Sequence, residues 1–198
     1  MRNMGCEDFS KAMGVKEEMN AEAEITDIQR FSVHDGTGIR TLVFFKGCPL
    51  RCIWCHNPET QRKQPQLFCI ESKCIHCGAC ILACPKQAVS VKGEEIVTDR
   101  TRCVECGECV KVCFSGARKI VGRKYTVEEV IEKVLQDEVF YKYSGGGVTL
   151  SGGDPVAHIE FACELLLRLK QLGIHTAIET CGVCCEEDFT RLLESVDL

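Results

Sequence analysis

Eleven cysteines in three short groups are the residues of this chain best placed to do chemistry. Cys74, Cys77, Cys80 and Cys84, followed by Pro85, have C-x2-C-x2-C-x3-C spacing, and Cys103, Cys106, Cys109 and Cys113 repeat it without the proline. Thiols this close together chelate one centre more readily than they pair with distant partners. The spacing suits a four-iron cubane: three thiolates on one tight loop reach three corners, and the fourth, beyond a helical turn, ligates the neighbouring cluster in two-cluster proteins. On that pattern Cys74, Cys77, Cys80 and Cys113 hold one 4Fe-4S cluster, and Cys103, Cys106, Cys109 and Cys84 hold a second. Structural zinc, which also takes four thiolates, is the competing reading. Two runs of identical spacing favour iron-sulfur.

Cys48, Cys52 and Cys55 differ, being C-x3-C-x2-C with no fourth cysteine at a matching distance. A cubane held by three thiolates leaves one iron open, and an open metal position is what a reacting ligand requires. Fully ligated clusters pass electrons, whereas this one could bind and activate a small molecule. A zinc ribbon, or three unligated thiols, is the alternative.

Composition narrows the setting. The chain has 198 residues, 45% of them hydrophobic, and a net charge of -5 from 24 basic and 29 acidic side chains. No run approaches the roughly 20 apolar residues of a membrane span, and the N-terminus lacks the apolar centre of a signal peptide. The expected location is the cytoplasm, where clustered cysteines hold metal rather than disulfides. The odd count of 17 cysteines agrees with that. The charges form no basic stripe, so neither nucleic acid nor membrane is an expected partner.

The elements that must position the cysteines can be read from pattern. Residues 1–23 are a polar leader with room for a short helix. Residues 24–61 and 119–198 form the framework, and 62–118 an insertion whose segments 74–84 and 103–113 are an internal duplication. Ile25 to Phe45 reads as a strand, a turn at Asp35-Gly36-Thr37-Gly38, and a buried strand from Thr41. Thr126 to about Tyr143 reads as one helix opened by a Thr126/Glu129 capping box. Strand Gly147–Leu150, a glycine-rich turn, a helix from about Val156 to Leu172, strand Ile174–Glu179 and a helix from about Glu186 to Glu194 follow. Such alternation predicts an α/β fold with a parallel sheet, open or curled into part of a barrel. Cys163, in the amphipathic helix, reads as a small core residue.

With these motifs the sequence resembles the radical S-adenosylmethionine superfamily, marked by C-x3-C-x2-C with an aromatic residue, Trp54, before the last cysteine. Ser144 to Pro155 (SGGGVTLSGGDP) resembles the superfamily's glycine-rich segment after the second barrel strand. Gly152 and Gly153 would there let the backbone approach the methionine end of the cofactor; the superfamily usually has Glu at the position of Asp154. Residues 34–60 (HDGTGIRTLVFFKGCPLRCIWCHNPET) closely resemble the opening of the activating enzymes of glycyl radical enzymes.

That resemblance implies a (β/α) radical S-adenosylmethionine barrel, only partial here and cut short at the C-terminus, with an inserted ferredoxin-like domain. It implies three 4Fe-4S clusters and S-adenosylmethionine. Cys48, Cys52 and Cys55 would ligate the cleaving cluster, Trp54, His56 and Asn57 would line the adenine end, and Glu179 and Thr180 (within IETCG) would face the cofactor carboxylate or a cation. Asp35 would help hold the glycine loop of a partner. The implied reaction is reductive cleavage of S-adenosylmethionine to methionine and a 5′-deoxyadenosyl radical, which takes hydrogen from a glycine of a glycyl radical enzyme. A flavodoxin- or ferredoxin-type donor would supply the electron. Two other readings stand beside it: a non-catalytic iron-sulfur electron-transfer fragment, and a radical enzyme acting on another substrate.

Overall fold

The computed structural model describes residues 21–198. The short helix expected in the leader lies outside the described residues, and the leader's last two positions, Glu22 and Ala23, belong to a strand. Strand β1 (Glu22–Ser32) turns back into β2 (Arg40–Phe45). There follow β3 (Gln66–Cys69), a one-turn helix α1 (Ala79–Leu82), the hairpin β4 (Val89–Lys92) and β5 (Glu95–Thr98), a one-turn helix α2 (Glu108–Lys111), β6 (Arg118–Val121) and β7 (Arg123–Thr126). The chain continues through α3 (Val127–Val134), α4 (Glu138–Ser144), β8 (Gly147–Gly152), α5 (Ile159–Gln171), β9 (His175–Ile178) and α6 (Glu186–Leu193).

Five strands form one sheet in the order β7-β1-β2-β8-β9. Strands β2, β8 and β9 run parallel, as the alternation predicts, while β1 is antiparallel to both β2 and β7. The sheet is mixed and open, and no barrel closes among the described residues. The last residues lie along the outer edge of β9, where Ile178 N donates to Leu198 O at 3.0 Å and Leu198 N to Thr176 O at 3.2 Å.

Alternation along the parallel strands separates two faces. Val43, Phe45, Val148 and Leu150 pack against Val127, Val130 and Val134 of α3 and Phe161, Leu165 and Leu169 of α5 in the main core. Each fully buried aliphatic or aromatic side chain contributes about 1.5–3 kcal/mol. Thr149 and Ser151, between these residues on β8, are buried on the opposite face.

The expected capping box is present, with Thr126 Oγ1 accepting from Glu129 N and Glu129 Oε2 from Thr126 N. The single helix expected after it is instead two, separated by a 3-10 turn at Leu135–Asp137. A buried carboxylate fixes the break: Asp137 accepts from Arg30 Nε at 2.8 Å and from Thr41 Oγ1 at 2.9 Å, drawing the chain onto the sheet. Arg30, first, and Thr41 hold the Asp137 pKa below its ordinary value.

The duplication between residues 74 and 113 is also geometric. His76 and Gly78 have φ of 55° and 74°, and Glu105 and Gly107, at the equivalent places, have 54° and 78°. In both copies the second cysteine, Cys77 or Cys106, is exposed and the third, Cys80 or Cys109, is buried.

Candidate active site and iron-sulfur cysteines

The loop that carries Cys48, Cys52 and Cys55 leaves the C-terminal end of β2 and is tied down at both ends. Gly47 N donates to Thr60 O at 2.6 Å, and Cys48 N to Gln61 O at 3.1 Å. Lys46, fully buried, reaches across the base of the loop, its Nζ donating to Glu59 O at 2.6 Å and to Gln66 Oε1 at 3.1 Å. Burial lowers the Lys46 pKa. His158 Nε2 donates to Lys46 O at 2.7 Å, which fixes the tautomer with hydrogen on Nε2. Sequence reading passed over both residues, because a lysine after an apolar strand and a histidine after a turn carry no distinctive spacing.

Gly152 and Gly153 form the floor under this loop. Gly152 has φ +96°, and a Cβ there would stand 2.6 Å from Phe45 N. A Cβ on Gly153 would stand 2.2 Å from Gly47 O and 2.8 Å from Thr60 O. Side chains at these positions are excluded by the chain's own backbone, so the pair lets the end of β8 and the start of the cysteine loop lie in contact. The three cysteines are half-buried, while Trp54 and His56 between and beside them are exposed, Trp54 by 80%.

Asp154 is buried completely and binds the two turns at the strand ends to one another. Its carboxylate accepts from Val156 N at 3.1 Å, Thr180 Oγ1 at 2.8 Å and Cys181 N at 2.8 Å. The Thr180 hydroxyl proton is therefore committed to Asp154. The carboxylate of Glu179 accepts from the Ser151 hydroxyl. Cys181, which sequence reading left without a role, comes from the turn after β9. Its Sγ, that of Cys48 and an oxygen of Asp154 all lie within 4.8 Å of one another. Desolvation, and then the hydrogen bond to Asp154, pushes the Cys181 thiol up to about 11.

Asp35 lies at the other end of β2, in the turn that leads into it. Ser32 donates its hydroxyl to the Asp35 carboxylate, and Thr149 Oγ1 donates to Asp35 O at 2.9 Å. Thr149 in turn accepts from Nε of the fully buried Arg40 at 2.6 Å. Thr149 and Ser151, two residues apart on β8, share a face. The Asp35 turn and Glu179 thus border one polar strip on the sheet face away from the helices.

Seven of the eight insertion cysteines fall into two groups. Cys84, Cys103, Cys106 and Cys109 line a single apolar cavity together with Leu67, Pro85 and Val89. Burial, and then the neighbouring Cys74, Cys80 and Cys113, raise the pKa of Cys69. Cys84 thus shares a cavity with the other run, and Cys113 acts on the same thiol as Cys74 and Cys80. Both Cys84 and Cys113 have their pKa lowered by hydrogen bonds to sulfur. Ala88 N donates to Cys84 Sγ at 3.2 Å and lowers its pKa. At Cys113 desolvation acts upward, but the Ser115 hydroxyl and the Arg118 and Ala117 N–H groups outweigh it, so its pKa is lowered. A set of four thiols around an apolar cavity, with backbone donors aimed at sulfur, fits iron-sulfur ligation.

Comparison with known proteins adds to this geometry. Residues 73–117 match a family described as a 4Fe-4S dicluster domain. The chain is 50% identical to a trans-4-hydroxy-L-proline dehydratase activating enzyme of Clostridioides difficile, over 88% of this chain and 58% of that protein. It is 46% identical to a choline trimethylamine-lyase activating enzyme of Oleidesulfovibrio alaskensis, over 89% of this chain and 58% of that protein. A benzylsuccinate synthase activating enzyme of Thauera aromatica is 51% identical over 79% of this chain and 49% of that protein. The chain spans about half the length of the curated relatives it matches. No helix among the described residues is long and apolar enough to cross a membrane.

Proposed function

We propose that this chain, similar over most of its length to activating enzymes of glycyl radical enzymes, carries the S-adenosylmethionine-cleaving loop and the two-cluster electron relay of such an enzyme. In this reading residues 24–61 and 119–198 are part of a (β/α) barrel, and 62–118 an inserted ferredoxin-like domain. The observation that carries it is the seating of the Cys48–Cys52–Cys55 loop on Gly152 and Gly153, at the C-terminal ends of parallel strands, where α/β folds place their ligands.

Cys48, Cys52 and Cys55 would hold a third cluster with one open iron. With S-adenosylmethionine bound, such a cluster would supply reductive carbon-sulfur cleavage, with the electron from the donor and hydrogen removal from a glycine of the partner as its outcome. The chain's own contribution is position. Lys46 and the two glycines fix the height of the loop, and Asp154 fixes the Thr180 turn beside it. Glu179 offers a carboxylate, with Ser151 orienting it, to a cation or to the cofactor amino group rather than to the cofactor carboxylate, since two carboxylates repel. Trp54 and His56, exposed on the surface of the loop, would line an adenine ring. Asp35, at the far end of the polar strip, is the contact for a partner's glycine loop. A cytoplasmic setting and a flavodoxin- or ferredoxin-type donor belong to this proposal. The partner is a glycyl radical enzyme of undetermined kind, since relatives named for a dehydratase, a lyase and a synthase are almost equally similar.

A second reading is an electron-transfer unit that uses only the eight insertion cysteines, favoured by the match of residues 73–117 to a 4Fe-4S dicluster domain. One experiment separates the two. The anaerobically reconstituted protein, given S-adenosylmethionine and dithionite, should form 5′-deoxyadenosine, and Cys52→Ala should abolish it. Equal product from both proteins would end the cleavage reading; full cluster loading without product would favour the electron-transfer unit.

A further inference from the structure

Arg118 opens β6 directly opposite Cys69 on β3 and is 3% exposed. Its Nη1 donates to Thr98 Oγ1 at 2.9 Å, while Nη2 is buried without a hydrogen-bond partner among the described residues. Helix α1, with Cys80, packs on α2, with Cys109, and α2 packs on β6. Arg118 therefore stands where the two halves of the duplication meet. Burial acts against its charge, but Cys80, Cys69 and Cys109 outweigh it and hold its pKa above the ordinary value, with no carboxylate among the groups responsible. Burial raises the Cys109 pKa, and the same guanidinium acts against that electrostatically.

A desolvated guanidinium with an unused N–H and no carboxylate is unfavourable unless another anion lies beside it. Thiolate-ligated clusters are anions, and each gains a further negative charge on one-electron reduction. Cluster potentials respond to local charge and to hydrogen bonds at the sulfurs. Cys80 belongs to the set with Cys74, Cys77 and Cys113, and Cys109 to the set with Cys84, Cys103 and Cys106. One guanidinium therefore acts electrostatically on a cysteine of each set.

We propose that Arg118 is the shared cation of the two ferredoxin-type clusters, its buried guanidinium, at the junction of the two halves of the duplication, raising both reduction potentials so that both accept electrons from a reduced donor. Arg118 is a positioning residue for electrons and touches no substrate. The inference rests on the two-cluster reading of residues 73–117.

The test is an anaerobic dithionite titration followed by electron paramagnetic resonance, in a Cys52→Ala parent so that two clusters dominate the signal. Arg118→Gln should keep about eight irons and shift both midpoints downward. At the parent's midpoint the reduced-to-oxidised ratio should fall at least tenfold, equivalent to about 59 mV for one electron. Arg118→Lys, which retains the charge, should shift less than half as far. Full iron with unmoved midpoints in Arg118→Gln overturns the proposal. Should Arg118→Gln fail to load iron, Arg118→Lys decides: loading near the parent midpoints supports the charge role, and failure to load, or midpoints lowered at least tenfold, overturns it. A parent protein that binds no iron removes the two-cluster reading and this inference with it.

Discussion

Gly153 and Gly47 lie in backbone contact, and a Cβ at 153 would stand 2.2 Å from the Gly47 carbonyl oxygen. Neither backbone can yield cheaply, because Gly153 N also donates to Phe45 O at 2.8 Å. Gly153→Ala must therefore displace the cysteine loop. The expected outcome is selective: about four of roughly twelve irons lost, with the ferredoxin-type clusters intact, as read by iron analysis and visible absorption. Retention of all the iron with unchanged 5′-deoxyadenosine formation would show that the loop is not fixed from below.

The crossing of the two cysteine runs gives a second prediction. Cys84 shares its cavity with Cys103, Cys106 and Cys109 rather than with the other cysteines of its own run. Cys84→Ala should thus damage the cluster of Cys103, Cys106 and Cys109 and spare that of Cys74, Cys77 and Cys80. Spectra of Cys84→Ala should match those of Cys106→Ala more closely than those of Cys77→Ala. The reverse match would mean that each run closes on its own cluster.

His158 provides a dependence on pH. Burial holds its pKa below the ordinary 6.5, against the opposing effect of the Lys46 carbonyl. An unfolded chain therefore binds a proton here that the native state does not, so stability is full above about 6.5 and declines as pH falls from there through the depressed native pKa. His158→Gln, which still offers an N–H to Lys46 O, should lack this decline. Anaerobic denaturant midpoints at pH 7.5 and 5.5 measure it. The wild type should lose more stability than the variant, and equal losses would remove His158 as the cause.

What was legible in the sequence was local. The cysteine spacings, the Thr126/Glu129 box and the β8-α5-β9 alternation each depend on residues a few positions apart, and each has its counterpart in the structure. Long-range relationships were not legible. Strand β7 exists because Arg123–Thr126 finds β1 about a hundred residues earlier, and no periodicity in four residues announces that. The helix break at Leu135–Asp137 depends on Arg30 and Thr41, and only the folded sheet brings these to Asp137. Asp154 looked like a shortened version of a family glutamate. In the structure Asp154 is itself fully buried and its length matches three donors, two of them 26 and 27 residues further along the chain.

The last prediction follows from the exposure pattern of the insertion cysteines. Cys77 and Cys106 are exposed and Cys80 and Cys109 buried, so each proposed cluster has one edge toward solvent and one toward the protein interior. A protein donor must deliver its electron at such a solvent-facing edge, whereas a small reductant can also reach the half-buried Cys48–Cys52–Cys55 loop directly. Cys77→Ala or Cys106→Ala should accordingly lower 5′-deoxyadenosine formation at least about tenfold with reduced flavodoxin or ferredoxin, a difference of roughly 1.4 kcal/mol in the barrier. With dithionite the same variants should stay within about twofold of the wild type. The comparison is made on variants whose iron at the remaining sites is intact, so that loss of fold is not read as loss of electron supply. Equal impairment with both reductants would place the ferredoxin-type clusters outside the electron route and assign them to holding the fold.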